Sequence, residues 1–385
     1  MKKLYRLDAW HKLLALRFKS LKWRHGVLIA LLILVTLTKM IPLWGFIYTT
    51  RIYPVIGTLL SPISGIFPFA VGDIFIALSI AWVILYPIYE IRLRKKRVFG
   101  RVAEYLLWVY AWFYIAWGLN YSQPNIYYRI GMKPVEVSKA KFKKFAYQYA
   151  DSLNALSIAS LSNARKSISP DSIVDDALKN RVRDAVLKEY NKIGYREGIN
   201  KPFNQHPHAK TMVFTPLSSM AGVTGSMGPF FCEFTLNGDI LAHDYPATYA
   251  HEFAHFLGVA NEGEANFYSY IVCTASADKQ VRFSGYYHIF FHVLNNVYDI
   301  LGEKEGERFL KHIRPEIIQR ARNDRYYWLS KRCKALDAAQ DFIFELYLKG
   351  NHVAEGRKSY SGVIGLILTW NEKKETILKY KNSRN

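Results

Sequence analysis

An α+β, mostly helical fold is predicted for this chain: a membrane region of three helices over residues 1–125, then a domain over 126–385 with a small sheet and one chemistry-bearing helix. Three observations predict it. Long apolar runs are confined to the first third, and amphipathic helical patterns dominate the rest. One short alternating stretch with glycine-rich turn chemistry stands just before a histidine-bearing helix.

Residues 26–43, GVLIALLILVTLTKMIPL, are long enough to cross about 30 Å of hydrocarbon as a helix, with Lys39 near the far end where its amine reaches the headgroups. The run is long for a signal peptide, and the following WGFIYTT offers no small-x-small cleavage site. Residues 74–91 and 102–119 read the same way, with Tyr and Trp crowding the ends and Asp73 and Glu104 at the edges. The connector over 44–73 is itself apolar and reads as interfacial or re-entrant; if it spanned, the sidedness would reverse.

The formal net charge of +21 is placed asymmetrically. Lys2, Lys3, Arg6, Lys12, Arg17, Lys19, Lys22 and Arg24 precede the first apolar run, and Arg92, Arg94, Lys95, Lys96, Arg97 and Arg101 lie between the second and third. The connector over 44–67 holds Arg51 alone. Cationic loops stay in the cytoplasm, so the N-terminus is expected inside and everything after about residue 120 on the outer side of the membrane. The bilayer is thus the partner this charge implies. Nucleic acid is not expected, since no zinc finger, RNP-like stretch or helix-turn-helix accompanies the basic residues. The spans carry no central charge pair or inverted repeat, which argues against a transporter. Cys232, Cys273 and Cys333 are too few for a disulfide framework and read as small buried residues.

In the second part, residues 138–160 and 171–194 show the spaced apolar positions of amphipathic helices, 200–208 reads as a loop, and helices dominate after 245. Residues 229–237, PFFCEFTLN, alternate: Phe230, Cys232, Phe234 and Leu236 share one face, Phe231, Glu233, Thr235 and Asn237 the other. This predicts a half-buried strand between the turns GVTGSMG and Asn237-Gly238-Asp239.

The chemistry is carried by His251-Glu252-Phe253-Ala254-His255. Residues four apart on a helix lie one above the other, so both imidazoles can reach one Zn2+ ion at about 2.0–2.1 Å. Glu252 is one step round the helix and can serve as the general base toward a water whose pKa the ion lowers. Asp244 and Pro246 supply helix-start signals and Gly258 a stop. A catalytic zinc keeps three protein ligands, and Glu262 and Glu264 both follow closely. If Glu262 opens a second helix it shares a face with Asn266, which favours Glu262, with Glu264 the alternative third ligand. The strand over 229–237 is placed to pair with an extended substrate, through Phe231, Glu233 and Thr235, or to serve as an ordinary core strand. Tyr287, His288 and His292 are candidates for stabilising an oxyanion by residue type, although their spacing equally fits an aromatic core helix.

Glu262-x-x-Ala265-Asn266 resembles the element that supplies the third ligand in several gluzincin-like metallopeptidases, although seven residues from His255 is a closer spacing than theirs. His255-x-x-Gly258-x-x-Asn261 resembles the metzincin pattern with asparagine in place of the third histidine. The chain as a whole resembles a family of bacterial membrane proteins known only as a domain of unknown function. The likeness lies in the three N-terminal spans, Pro229-Phe230-Phe231 before HExxH, Glu262 to Phe267 after it, and the late segment Ser359 to Leu366. The resemblance implies a zincin-like metallopeptidase domain without a known substrate. The function expected is zinc-dependent hydrolysis of peptide bonds in a peptide or protein by a membrane-anchored enzyme. The alternative is a non-catalytic zinc-binding envelope scaffold, against which an intact Glu252 argues, because a structural site has no need of a base.

Overall fold

The computed structural model describes residues 23–93, 97–135, 138–164, 174–336 and 362–382. The basic residues before Trp23, Arg94 to Lys96, the first residues of the 171–194 helix and Ser359 to Ser361 lie outside them. Helices dominate, with one three-stranded sheet.

The first apolar run forms α1 (Trp23–Met40), which stops where Ile41 turns extended before Pro42. A short α2 (Pro42–Ile47) passes through a π-turn at Tyr48–Ile52 into α3 (Tyr53–Gly65). Then come α4 (Val71–Arg92) and α5 (Val98–Ala116). Among the described residues, α1 and α4 are the helices both long and apolar enough to cross a membrane. The predicted third run does form α5, shifted to 98–116, with Arg101 and Glu104 near its start, and it is not one of that pair.

These three helices stand side by side. Arg24 pairs with Glu104 at one end of α1 and α5, and Lys39 Nζ donates to Tyr114 Oη at the other, so the two run parallel. Arg101 facing Glu90, and Ser79 bonded to Tyr105, set α4 antiparallel to α5. Large apolar side chains remain exposed along them, among them Leu78 at 65% and Leu85 at 61%. A contiguous apolar surface of that kind marks an interaction with something other than water.

The connector folds onto the domain that follows it, at the end of the bundle where α1 and α5 finish and α4 begins. Tyr53 is fully buried and donates through its hydroxyl to the Phe256 carbonyl at 2.7 Å. Asn200 Nδ2 donates to both the Thr49 and the Leu257 carbonyls at 2.9 Å. One hydrophobic core runs from Tyr48, Tyr53 and Trp117 to Phe253 and Phe290.

The domain proceeds through α6 (Ile126–Arg129), α7 (Lys139–Ala164) and α8 (Asp176–Tyr190), the last capped by Asp175 accepting from the Leu178 amide. Strand β1 (Lys210–Thr211), α9 (Thr215–Met220), β2 (Gly225–Gly228) and β3 (Glu233–Leu236) follow. Beyond them lie α10 (Tyr245–Phe256), α11 (Glu262–Ala275), α12 (Lys279–His288), α13 (Phe290–Leu301), α14 (Glu303–His312), α15 (Pro315–Lys331) and α16 (Gly362–Asn382). The sheet order is β1-β3-β2, with β3 parallel to β1 and antiparallel to β2.

The sheet corrects the strand expected over 229–237. Residues 229–232 form a turn, and β3 is buried on both faces rather than one. Phe234 packs against Tyr249, Phe253 and Phe256 of α10. On the opposite face Glu233 is buried because it has partners: Lys210 Nζ at 2.6 Å and the Gly72 amide at 2.6 Å. A charged group leaves water only with such compensation. Since β3 is the centre strand, Thr235 is paired on both edges and Glu233 with Gly228 of β2, and Phe231 lies in the preceding turn; among the described residues the free edge nearest α10 belongs to β2.

Candidate metal centre

Helix α10 is buried along its whole length, with Pro246 in its first turn. It ends at Gly258, whose φ of +95° is left-handed and whose amide closes back on the His255 carbonyl at 2.9 Å. Glycine adopts this conformation without steric cost. The reversal turns the Val259 carbonyl back to accept from His255 Nδ1 at 2.6 Å. A carbonyl can only accept, so Nδ1 carries a hydrogen and Nε2 is the nitrogen left to bind an ion once its own proton is lost.

His251 Nδ1 is likewise held by Asn266 Oδ1 at 2.8 Å. The two Nε2 atoms then face each other at 3.1 Å. Asn261 caps α11 by accepting from the Glu264 amide, which starts that helix at Glu262 and aims its carboxylate at the histidines. Glu262 Oε2 is 3.2 Å from His251 Nε2 and 3.6 Å from His255 Nε2. Three electron-pair donors therefore converge on one point, all within 4.8 Å of one another. Two imidazole nitrogens and one carboxylate are a donor set that suits a divalent ion such as zinc.

Charge follows the same geometry. Burial alone would lower the His255 pKa, but the Glu262 carboxylate beside it outweighs this and holds the imidazole up to about 9. Burial would raise Glu262, and the two imidazoles reverse that, pulling it far below the ordinary carboxylate range. Glu252 moves the other way: burial pushes its carboxyl up, against the pull of the histidines. Its Oε2 is buried without a hydrogen-bond partner among the described residues.

Glu264, the alternative ligand, is committed elsewhere. Its Oε1 accepts from the Ile126 amide at 2.9 Å and its Oε2 from Arg129 Nη2, in a buried ion pair that ties α6 to α11. Tyr287 donates to Asp324 Oδ2, away from the donor cluster. His288 is closer: its Nε2 bonds the same Asn266 Oδ1 at 2.9 Å, and burial with the nearby His251 and His292 lowers it to about 3, so its ring is neutral.

Sequence reasoning missed four participants. Asn266 orients His251, Val259 orients His255, and Trp117 Nε1 at the end of α5 donates to the His255 carbonyl at 3.0 Å. Gly225 on β2 lies against Glu252. The Glu-x-x-Ala-Asn pattern did contain Asn266, and its place on the Glu262 face was the available signal.

A comparison with protein-family models matches residues 48–368 to the family described as protein of unknown function, DUF3810. The chain belongs to the DUF3810 family. The match takes in the connector from Tyr48 on, α4, α5 and every residue of the donor cluster. No curated protein and no solved structure matches this DUF3810 protein.

Proposed function

We propose that this DUF3810 protein is a membrane-anchored, zinc-dependent metallopeptidase. The observation that carries the reading is the convergence of His251 Nε2, His255 Nε2 and Glu262 Oε2, with the other nitrogen of each histidine locked by an acceptor. Those three residues would hold the ion. A zinc ion so held would lower the pKa of water toward about 7 and supply Lewis acidity toward a peptide carbonyl. Glu252, buried and with its basicity raised, takes a proton from the attacking water and hands it to the leaving amine as the C–N bond breaks.

Two features favour catalysis over a scaffold role. A structural site closes with a fourth protein ligand, and among the described residues three donors converge. A buried carboxylate with an unpartnered oxygen costs stability, a cost that a catalytic base accounts for and a scaffold does not. Anchoring rests on α1, α4 and α5, with the basic segments on the cytoplasmic side and the metal-binding domain outside the bacterial inner membrane. The connector supports that sidedness, because Tyr53 and Asn200 tie it to the domain at one end of the bundle.

Metal analysis of the detergent-purified protein by mass spectrometry tests the reading. One zinc per chain in the wild type and in Glu252→Gln, and none in His255→Ala or Glu262→Ala, is the expected result. Zinc-free wild type, or full retention in both ligand variants, overturns it.

A further inference from the structure

We propose that the substrate is a polypeptide tethered in the same membrane, cut a few residues outside its apolar anchor. The inference rests on the peptidase reading and concerns where the substrate strand must lie.

Among the described residues the free edge beside the base is β2, since β3 lies between β1 and β2. Its two ends have different surroundings. Gly225 lies against the Glu252 carboxyl, at the level where a peptide bond would be cut. Gly228, at the other end, pairs with Glu233, which accepts from the Gly72 amide in the first turn of α4. The chain then enters the turn Pro229-Phe230-Phe231, which is seated on the apolar helices. Phe230 and Phe231 pack on Phe75 of α4 at 4.9 and 5.6 Å between ring centres, and Trp112 Nε1 of α5 donates to the Phe230 carbonyl at 3.0 Å. Strand β2 therefore runs from the base toward the apolar bundle.

A second contact sets the same height from the other direction. Trp117 follows the last residue of α5 and bonds the His255 carbonyl directly. Val213, Phe214 and Leu217 are exposed beside the start of α4, where the Val213 amide bonds Asp73, and carry the apolar surface onto the domain. The site stands at the rim of the apolar bundle rather than remote from it.

An extended peptide that adds to the edge of β2 takes main-chain hydrogen bonds from it. Its end near Gly228 would be at the apolar boundary. The cut end near Gly225 would be three residues further out, about 10 Å at about 3.3 Å per residue. A chain anchored in the same bilayer presents such a segment at the right height. A freely diffusing protein would have to bring an extended segment down to the surface.

The test uses the full-length protein reconstituted in phospholipid vesicles. Two probes are compared: a mixed-sequence peptide library fused to a leucine-rich spanning segment, and the same library without that segment. Tethering raises the effective concentration, so cleavage of the anchored library is expected to be about tenfold faster or more. Mass spectrometry should map the cuts to about three to six residues from the apolar boundary, in keeping with strand spacing. Glu252→Gln should abolish them. Equal rates for the two libraries, or cuts scattered along the anchored one, overturn the proposal and leave the peptidase reading standing. Absence of any Glu252-dependent cut in either library overturns both.

Discussion

The carboxylate of Glu252 is pressed against the backbone of Gly225: a β-carbon there would stand 2.4 Å from Glu252 Oε1 and 2.7 Å from its Cγ. The edge strand and the proposed base thus share one small space that only glycine leaves open. Gly225→Ala must displace the carboxylate, and a misplacement of about 1 Å can cost about a hundredfold in rate. Turnover should fall by that order while zinc content stays at the wild-type level. An alanine variant with unchanged turnover would show that Glu252 does not act from this position.

The two glutamates of α11 should separate by readout. Glu264→Gln leaves Arg129 buried without its counter-charge, and breaking such a pair costs about 3–5 kcal/mol. Thermal unfolding should show that loss with zinc retained. Glu262→Gln should lose zinc, and its metal-free form should lose stability as well, since the carboxylate pairs with His251 and His255. Zinc lost from Glu264→Gln while its fold is intact would return Glu264 to the ligand set.

Asn266 bonds His251 Nδ1 and His288 Nε2 through one oxygen. Outer partners of metal-binding histidines are worth about 10–100-fold in metal affinity. Asn266→Ala should weaken zinc retention by that order against a chelator of known affinity, while His288→Ala, one step further out, should weaken it less. Equal effects from the two would place His288 in contact with the ion.

Asp244, at the N-terminal end of α10, is pushed up from 3.8 to about 6 by burial, with Asp324 adding to the rise and His243 opposing it. The folded protein then holds this proton more tightly than the unfolded chain, so stability declines as pH rises between 3.8 and about 6 and levels off above. Asp244→Asn removes the cost of ionising there. The variant should gain on wild type in unfolding temperature above pH 6 and lose that advantage below 3.8, in a pH series of thermal melts. Parallel curves across the series would rule out Asp244 as the source.

Several features were legible from residue order because their physics is local. The apolar runs of α1 and α4 follow from length and composition, and α10 from its start and stop residues and the four-residue repeat of histidines. The preference for Glu262 over Glu264 came from helix phase, which depends only on where α11 begins.

Long-range pairing decided the rest. Alternation in 229–237 identified strand chemistry but carried no information about neighbours. A two-residue β1, too short to announce itself, fills one edge of β3 and leaves β2, among the described residues, as the edge beside Glu252. The commitment of Glu264 depends on Arg129, 135 residues earlier in the chain, and the depth of the connector on Tyr53 reaching Phe256, 203 residues later. What the sequence by itself determined is the apolar runs of α1 and α4, helix α10, and the histidine and glutamate side chains offered near its end. Only the tertiary structure decided which donors meet, because a shared point in space is set by packing between distant segments and not by spacing along one of them.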